Sequence, residues 1–453
     1  MAMSLLDPLF TSGAVRAVFS DEQRLQRMLD FEAALAKACA HVGVIPAAAA
    51  AAIAGRCRWE LFDRAALAEE ATRAGNLAIP MVKQLTRLVR ETDSAAAGYV
   101  HWGATSQDAI DTGLVLQLRD EFAAIEADMS DLCRSLALLA IEYRNAPVAG
   151  RTFLQHAVPV TFGWKAAGWL DALLRHNTRL AELKRRVLVL QFGGAAGTLV
   201  SLGDRALQVS AALAEELALT LPSTSWHTNR DRVAEAACFH GLLAGTLGKI
   251  ARDLSLAMQT EVAEVFEPFG EGRGGSSSMP HKRNPVMAAV VISAALRVPG
   301  LVSTMLNSMV QEHERGLGGW HAEWETLPEI CIVTGGALRR MVEAVSSLEV
   351  ITDKMRSNLG ISSGLVHAEA ISMALAEKIG REEAHALIEQ ASRRALEQGE
   401  HLLHVLGNTP QVMRYIDRQH LETLFNSEQS CSAAQEMIDG VLAAYRAQFP
   451  EKG

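Results

Sequence analysis

The sequence predicts an all-α fold built around a bundle of long helices. Alanine and leucine are abundant, whereas runs of β-branched residues are few. Five long stretches carry almost no proline, and only Pro299 and Pro328 interrupt them internally: residues 107–144, 159–191, 231–267, 285–314 and 324–348. A helix of about 30 residues spans about 45 Å. These stretches are broadly apolar and keep no strict heptad, which favours a bundle buried on more than one face.

The flanking regions predict shorter helices. Ser20 opens the segment SDEQ, a capping-box pattern, and apolar residues then recur at helical spacing. The alanine run Ala47–Ala52 indicates plain helix. We expect three helical domains: an N-terminal domain over residues 1–105, the long bundle over 106–348, and a smaller C-terminal domain over 349–453. A set of shorter helices with unrecognised breaks is the alternative for the bundle.

Composition excludes several classes of protein. The chain has 453 residues and a net charge of −9, and its pI is about 5.9, which argues against nucleic acid or an anionic membrane as the main partner. No signal peptide is evident at the start, and no stretch of about 18 uncharged apolar residues occurs, so we expect no membrane helix. Six scattered cysteines form no CxxC pair and suit a reducing cytoplasm: Cys39, Cys57, Cys133, Cys238, Cys331 and Cys431.

Familiar catalytic and cofactor motifs are missing. The segment beginning at His313 is not HExxH, and His401 with His404 indicates half-buried or solvated histidines. No P-loop and no GxSxG elbow occurs, and the glycines from Gly316 follow no strand. These motifs therefore give no local support for a metal site or a bound nucleotide cofactor.

Three polar segments instead stand at the ends of predicted bundle helices. HWGATSQD precedes the first long helix, GRTFLQHAVPVTFG the second, and GGSSSMPHKRNP the fourth. Helix N-termini present free N–H groups and partial positive charge, which suit carboxylates. The hydroxyl, amide and cationic groups of these segments together predict a site for a small polyanion: His101, Thr105, Ser106, Arg151, Thr152, Gln155, His156, Ser276, Lys282 and Asn284.

These segments resemble the fumarase/aspartase superfamily. GGSSSMPHKRNP is similar to its signature GSSxMPxKxNP, and the other two segments resemble its remaining active-site regions in the same order. The resemblance implies three helical domains and a homotetramer whose central helices form a shared twenty-helix core. It also implies active sites that draw on three subunits, and no cofactor.

The same resemblance assigns roles. Ser276 resembles the group that exchanges the proton α to a carboxylate, and Lys282 and Asn284 match substrate-contacting positions. Ser277 and Ser278 are spacers in this interpretation. Arg315 follows as a further carboxylate ligand in the segment ERGLGGWHAEWETLPE.

Two departures from the superfamily pattern narrow the range of reactions that this chain could catalyse. Many superfamily members carry a histidine that supplies or relays a proton where this chain has Phe153, which we expect to be packed as an apolar ring. Adenylosuccinate lyases carry phosphate-holding groups where this chain has Gly318, Gly319, Trp320 and Trp324. A reaction whose leaving group is a carboxylate does not need such a histidine. The carboxylate leaves without a proton because the pKa of its conjugate acid is about 4.

The pattern therefore resembles the lactonising branch of the superfamily, which acts on 3-carboxy-cis,cis-muconate in the protocatechuate (β-ketoadipate) pathway of aromatic degradation. In that interpretation Arg151, Lys282 and Arg315 hold three substrate carboxylates. The proton donor stays open between Ser276, His101 and His156. Two alternatives also stay open: a fumarate-releasing lyase of the adenylosuccinate or argininosuccinate type, and a non-catalytic structural homologue.

Overall fold

The structure is a computed structural model that describes residues 5–270, 274–275, 279, 281–426 and 432–450. Short 3-10 helices cover Trp59–Leu61, Ala96–Tyr99, Val200–Arg205 and Leu365–His367. Four short strands are β1 (Pro147–Thr152), β2 (Gln155–Thr161), β3 (Val265–Phe266) and β4 (Glu349–Val350). The α-helices are α1 (Asp7–Phe10), α2 (Gly13–Val18), α3 (Asp21–His41), α4 (Ala47–Ala54), α5 (Arg64–Ala74), α6 (Ala78–Arg90), α7 (Ser106–Glu142), α8 (Phe162–Val187), α9 (Ala206–Leu217), α10 (Asp231–Ala257), α11 (Val286–Asn307), α12 (Gly319–Ser346), α13 (Thr352–Gly360), α14 (Ala368–Ile379), α15 (Arg381–Gln398), α16 (Leu402–Gly407), α17 (Pro410–Met413), α18 (Arg418–Leu424) and α19 (Ser432–Gln448).

The predicted all-α class is confirmed, and each of the five proline-poor stretches contains one long helix. The helices α7, α8, α10, α11 and α12 have 37, 26, 27, 22 and 28 residues. Several end earlier than predicted, and α10 stops at Ala257 rather than near residue 267. The residues beyond it form the short strand β3, whose partner is β4.

Local sequence explains where α3 begins. Ser20 lies in an extended conformation, and its hydroxyl accepts a hydrogen bond from the Gln23 amide at 3.3 Å. Asp21 and Glu22 occupy the first turn, where negatively charged side chains interact favourably with the positive end of the helix dipole. The predicted cap is therefore confirmed.

A β-hairpin interrupts the helical pattern at the second polar segment. The strands β1 and β2 pair antiparallel, with Thr152 opposite Gln155 and a register shift between Ala149 and Arg151. The two residues of the turn, Phe153 and Leu154, both have positive φ, 49° and 65°. A two-residue hairpin turn needs this geometry, which usually selects asparagine or glycine. The turn therefore holds two bulky side chains in a left-handed conformation.

The chain divides into two compact units. The first contains residues 1–128, 176–248 and 290–339, and the second contains 129–175, 249–289 and 340–453. The five long helices each contribute residues to both units. The predicted three-domain division by chain position stays a prediction.

Each unit buries its own apolar side chains. In the first unit, Leu29, Phe122, Leu243 and Leu338 are fully buried. In the second unit, α14–α18 enclose a cluster of aliphatic residues that includes Ile371, Leu375, Ala384, Ile388, Leu402, Val405, Leu406, Val412 and Leu421.

The helix α11 is unusually apolar. It meets a length and hydropathy criterion for a membrane span, with a mean hydropathy of 1.9 and 33% of the tested window buried. Helices α13 and α14, with the short 3-10 helix before α14, meet the criterion only when taken together across a sharp bend. Core helices of soluble proteins also meet it, so the criterion is weak evidence. Arg297 interrupts the apolar run of α11, in agreement with the expectation that no stretch of about 18 uncharged apolar residues occurs.

Candidate active site

The first unit brings Thr105 and Arg315 into contact. Thr105 immediately precedes α7, and its hydroxyl accepts a hydrogen bond from Arg315 Nη1 at 3.0 Å. Arg315 Nη2 also donates to the Ala195 carbonyl at 3.1 Å. Ser106 is the first residue of α7 and is half-buried. Two predicted carboxylate-binding groups therefore lie together beside the N-terminus of a 37-residue helix.

A buried aspartate, Asp108, holds this helix start in place. Its two oxygens accept hydrogen bonds from the amides of Thr105, Gly193 and Gly194, each at 2.9 Å. His227 Nε2 lies 2.7 Å from the same carboxylate. A carboxylate with this many donors is well compensated for burial. Asp108 therefore fixes the loop that precedes α7 and the glycine segment that faces it.

His101 forms a close pair with Glu32 of α3. His101 Nδ1 lies 2.6 Å from Glu32 Oε1, and the Glu32 side chain is fully buried. Burial acts to lower the pKa of His101, but the Glu32 charge and hydrogen bond outweigh it, so the pKa is raised. His101 also has a left-handed backbone, with φ of 60°. This arrangement favours an imidazolium whose Nδ1–H is held by Glu32.

A second buried ion network supports the segment that carries Arg315. The guanidinium of Arg230 binds Asp111 at 2.7 and 3.1 Å and Glu323 at 2.5 to 3.1 Å. The Trp320 indole donates to Asp111 at 3.0 Å, and Gln311 donates to Glu323 at 3.2 Å. Burial raises the pKa of Glu323, and Arg230 opposes that rise. The network ties both ends of the loop between α11 and α12 to buried charges.

In the second unit, Arg151 forms a two-pronged ion pair with Glu264. The distances are 2.9 Å from Nη1 to Oε2 and 2.6 Å from Nη2 to Oε1. Asn358 also donates to Glu264 at 2.8 Å. Both terminal nitrogens of Arg151 are therefore engaged by a protein carboxylate, so a substrate carboxylate would have to compete with Glu264.

His156 stands opposite Arg151 in the hairpin, and its electrostatics differ from those of His101. Burial and the Arg151 charge lower the pKa of His156, with Glu264 partly opposing them. His156 and Gln155 line an open groove of about 710 Å³ whose other wall includes Ser362 and Glu369. Thr152 is exposed beside the turn. At neutral pH this environment favours a neutral imidazole.

Phe153 differs from the expectation. Its side chain is fully exposed in the single chain, with a relative exposure of 101%. The expected packing of its ring within the chain is therefore wrong. The turn geometry explains this, because a two-residue turn directs its side chains away from the strands.

The base of the signature loop is anchored to the start of α11. The carboxylate of Glu267 accepts hydrogen bonds from the Met287 amide at 2.9 Å and the Ala288 amide at 2.7 Å. Burial raises the pKa of Glu267, although these amides oppose the rise. Asn284 is half-buried, and its backbone N–H donates to the Gly274 carbonyl at 3.0 Å. Lys282 is exposed. Ser276, Ser277 and Ser278 lie outside the described residues.

The predicted site residues thus divide between the units. His101, Thr105, Ser106 and Arg315 belong to the first, and Arg151, Thr152, Gln155, His156, Lys282 and Asn284 belong to the second. Sequence reasoning missed the buried acids that hold them: Glu32, Asp108, Asp111, Glu264, Glu267 and Glu323. Glu32 had a usable signal, since an acid on the buried face of an amphipathic helix needs a partner.

Comparison with known families identifies the superfamily of this chain. The model of a family described as lyase matches residues 10–300, and that of the adenylosuccinate lyase C-terminus matches residues 364–441. The chain belongs to the fumarase/aspartase superfamily. Within this superfamily it is similar to the 3-carboxy-cis,cis-muconate cycloisomerase of Pseudomonas aeruginosa, at 56% identity over 446 residues, which cover 98% of this chain and 97% of the relative.

Solved structures of superfamily members show the same fold. The crystal structure of 3-carboxy-cis,cis-muconate lactonizing enzyme from Pseudomonas putida has a TM-score of 0.93 at 51% identity, and the match covers 98% of this chain and 99% of that one. The crystal structure of β-carboxy-cis,cis-muconate cycloisomerase from Acinetobacter calcoaceticus has a TM-score of 0.92 at 43% identity, covering 97% and 100%. The predicted resemblance is therefore confirmed over nearly the whole chain.

Proposed function

We propose that this protein is a cycloisomerase that converts 3-carboxy-cis,cis-muconate into 4-carboxymuconolactone in the protocatechuate pathway of the bacterial cytoplasm. The observation that carries the proposal is full-length similarity to enzymes of that name, at 56% identity for the Pseudomonas aeruginosa relative. The carboxylate-binding groups Thr105 and Arg315 in contact at a helix start support it.

The reaction needs groups that stabilise negative charge on a polycarboxylate. One substrate carboxylate adds to the conjugated diene, and the electron pair moves onto the α-carbon and its own carboxylate. A proton then adds to the α-carbon, so the overall change is an isomerisation. Arg315 and Lys282 are the cations that would hold the carboxylates, with hydrogen bonds from Thr105 and Ser106. Arg151 takes the same role only if substrate displaces Glu264 from it.

The two candidate histidines have different tasks in this proposal. His101 is held as an imidazolium by Glu32, so it can stabilise developing carboxylate charge or return a proton. His156 has a lowered pKa and stays a neutral hydrogen-bonding group. Ser276 delivers the proton to the α-carbon from the signature loop, and the cation of Lys282 supports its alkoxide. The proposal places no metal and no organic cofactor in this site.

The decisive experiment is an absorbance assay with matched serine variants. Muconates absorb in the near ultraviolet, and lactonisation removes that conjugation. We expect absorbance to fall with 3-carboxy-cis,cis-muconate and no cleavage of adenylosuccinate or argininosuccinate. Ser276→Ala should lower turnover by about 100-fold, whereas Ser277→Ala in the same loop should stay within about threefold of the wild type.

Each other result contradicts part of the proposal. Cleavage of either succinate would favour the fumarate-releasing lyase, and no activity on any of the three would favour a structural homologue. If Ser276→Ala retains wild-type turnover, another group delivers the proton.

We further propose a homotetramer whose active sites combine residues from several subunits. The five long helices would form a twenty-helix core, and apolar side chains on them are exposed in the single chain: Leu138, Ile141, Leu296 and Leu306. A monomer would leave these patches in water. Sedimentation of a stable active monomer would contradict this assembly.

Subunit mixing tests the shared sites. Arg315→Ala and Ser276→Ala each remove a different proposed group, and each variant should be nearly inactive alone. After joint unfolding and refolding, mixed tetramers should regain activity if a site draws these groups from different chains. If every site lies within one chain, the mixture should stay as inactive as its components.

A further inference from the structure

Three of the long helices bring Glu121, His240 and Cys331 together in the core of the first unit. Glu121 lies on α7, His240 on α10 and Cys331 on α12, and each is fully buried. The ligand-type atoms of the three side chains all lie within 4.8 Å of one another. The rings of Phe122 and Phe239 pack against the imidazole, with centroids 6.4 and 5.2 Å away. The proposed catalytic residues take no part in this cluster.

Glu121 is poorly compensated for its burial. Neither of its carboxylate oxygens has a hydrogen-bond donor among the described residues, and His240 Nδ1 likewise has no partner there. The nearest cationic candidate is His240 Nε2, which lies 3.5 Å from Glu121 Oε2, beyond ordinary hydrogen-bond distance. An ionised carboxylate without partners in an apolar core costs several kcal/mol. The contrast is Asp108, whose buried oxygens are satisfied by backbone amides.

The spacing of the three groups fits a tetrahedral metal ion. Zinc lies about 2.0–2.3 Å from nitrogen, oxygen and sulfur ligands, so neighbouring ligand atoms stand about 3.3–3.8 Å apart. His240 Nε2 is 3.5 Å from both Cys331 Sγ and Glu121 Oε2. Two of the three edges therefore already match. The third edge, between Glu121 and Cys331, is within 4.8 Å.

We propose that Glu121, His240 and Cys331 form a structural binding site for a divalent transition-metal ion, with Zn²⁺ as the best fit. One nitrogen, one oxygen and one sulfur ligand suit this borderline ion. A water molecule or another protein oxygen completes the coordination. One candidate is the hydroxyl of Thr334, which is buried one turn after Cys331 on α12 and has no partner among the described residues.

Charge balance supports the same conclusion. Binding of M²⁺ releases the thiol proton, leaving one thiolate, one carboxylate, one neutral imidazole and the ion. The sum of charges is then zero, which suits an apolar core. The ion would link α7, α10 and α12 and stabilise the folded chain.

The test uses refolding, because the buried site opens only when the chain unfolds. The full-length protein is unfolded with a chelator and refolded with or without Zn²⁺, and bound metal is measured by mass spectrometry. Glu121→Gln and Cys331→Ala remove one ligand each. Cys39→Ala is the matched control, since Cys39 is a fully buried thiol of the same unit outside the cluster.

We expect one zinc per chain and a higher melting temperature in the wild type and in Cys39→Ala, and neither in the two ligand variants. Refolding with Co²⁺ should give a thiolate-to-cobalt charge-transfer band. Cys331→Ala should abolish this band, whereas Cys39→Ala should retain it. The proposal is overturned if wild-type protein refolded with zinc carries no metal, or if Glu121→Gln keeps it.

Discussion

The pair formed by His101 and Glu32 gives a sharp test of the proposed site. Glu32→Gln keeps the size of the side chain and removes its negative charge. His101 Nδ1 and Glu32 Oε1 are 2.6 Å apart, and the glutamate is fully buried, so water screens this interaction poorly. The variant should therefore lower the pKa of His101, because burial then acts without the opposing charge.

The size of the effect follows from the strength of the lost contact, because a hydrogen bond to a charged group contributes about 1.5–3 kcal/mol. We therefore expect the pKa of His101 to fall in Glu32→Gln. If the imidazolium is the active form, the alkaline limb of kcat/KM against pH should move to lower pH.

Stability should change in a matching way. The pKa of His101 in the folded chain is raised above its unfolded value of about 6.5, so the folded chain binds this proton more tightly. The resulting stabilisation is fully present below about pH 6.5 and is lost as pH rises through the folded pKa. Urea denaturation at a series of pH values should show this loss in the wild type and not in Glu32→Gln.

The control is Asp30→Asn on the same helix. Asp30 pairs with Arg27 rather than with a histidine, so this change should leave the alkaline limb in place. An unshifted limb in Glu32→Gln would refute the reasoning, because His101 would then not set the protonation state that activity requires.

Three further predictions concern the surrounding framework. Arg230→Met should destabilise the fold by about 3–5 kcal/mol in urea denaturation, because it leaves the buried carboxylates of Asp111 and Glu323 without a cation. Glu323→Gln should cost less than half as much, because Arg230 keeps Asp111 as a partner. Equal losses in the two variants would contradict this reasoning. Glu267→Ala should lower the free energy of unfolding by about 1–3 kcal/mol, because it leaves two backbone amides of α11 without an acceptor. Hydrogen exchange of the Met287 amide should then be faster than in the wild type. An unchanged exchange rate would contradict this prediction. Phe153→His should lower lactonisation, because it introduces a polar ring that must be desolvated, and should create at most a trace of adenylosuccinate cleavage; faster lactonisation would show that a proton at this position matters.

Helix content and the resemblance to the superfamily could be predicted from the chain alone. Proline-poor apolar stretches are local signals for long helices. The cap that Ser20 provides for α3 is another local signal. Partners of buried charges could not be predicted, because they join distant parts of the chain. Glu32 and His101 are 69 positions apart, and Arg151 and Glu264 are 113 apart. Such pairs depend on how helices pack, which no local pattern encodes.

Phe153 shows a different limit, because its side chain is exposed in the single chain and local sequence did not indicate this. Reasoning from the leaving group treated it as a packed apolar ring, yet the turn exposes both Phe153 and Leu154. Each left-handed L-residue costs about 1–2 kcal/mol, so an Asn-Gly turn would be locally more stable. Retaining two strained, exposed hydrophobic residues makes sense if this turn contacts another subunit in the proposed tetramer. Phe153 then excludes water from a site formed only on assembly, and a histidine at this position would carry a desolvation penalty in the tetramer and not in the isolated chain.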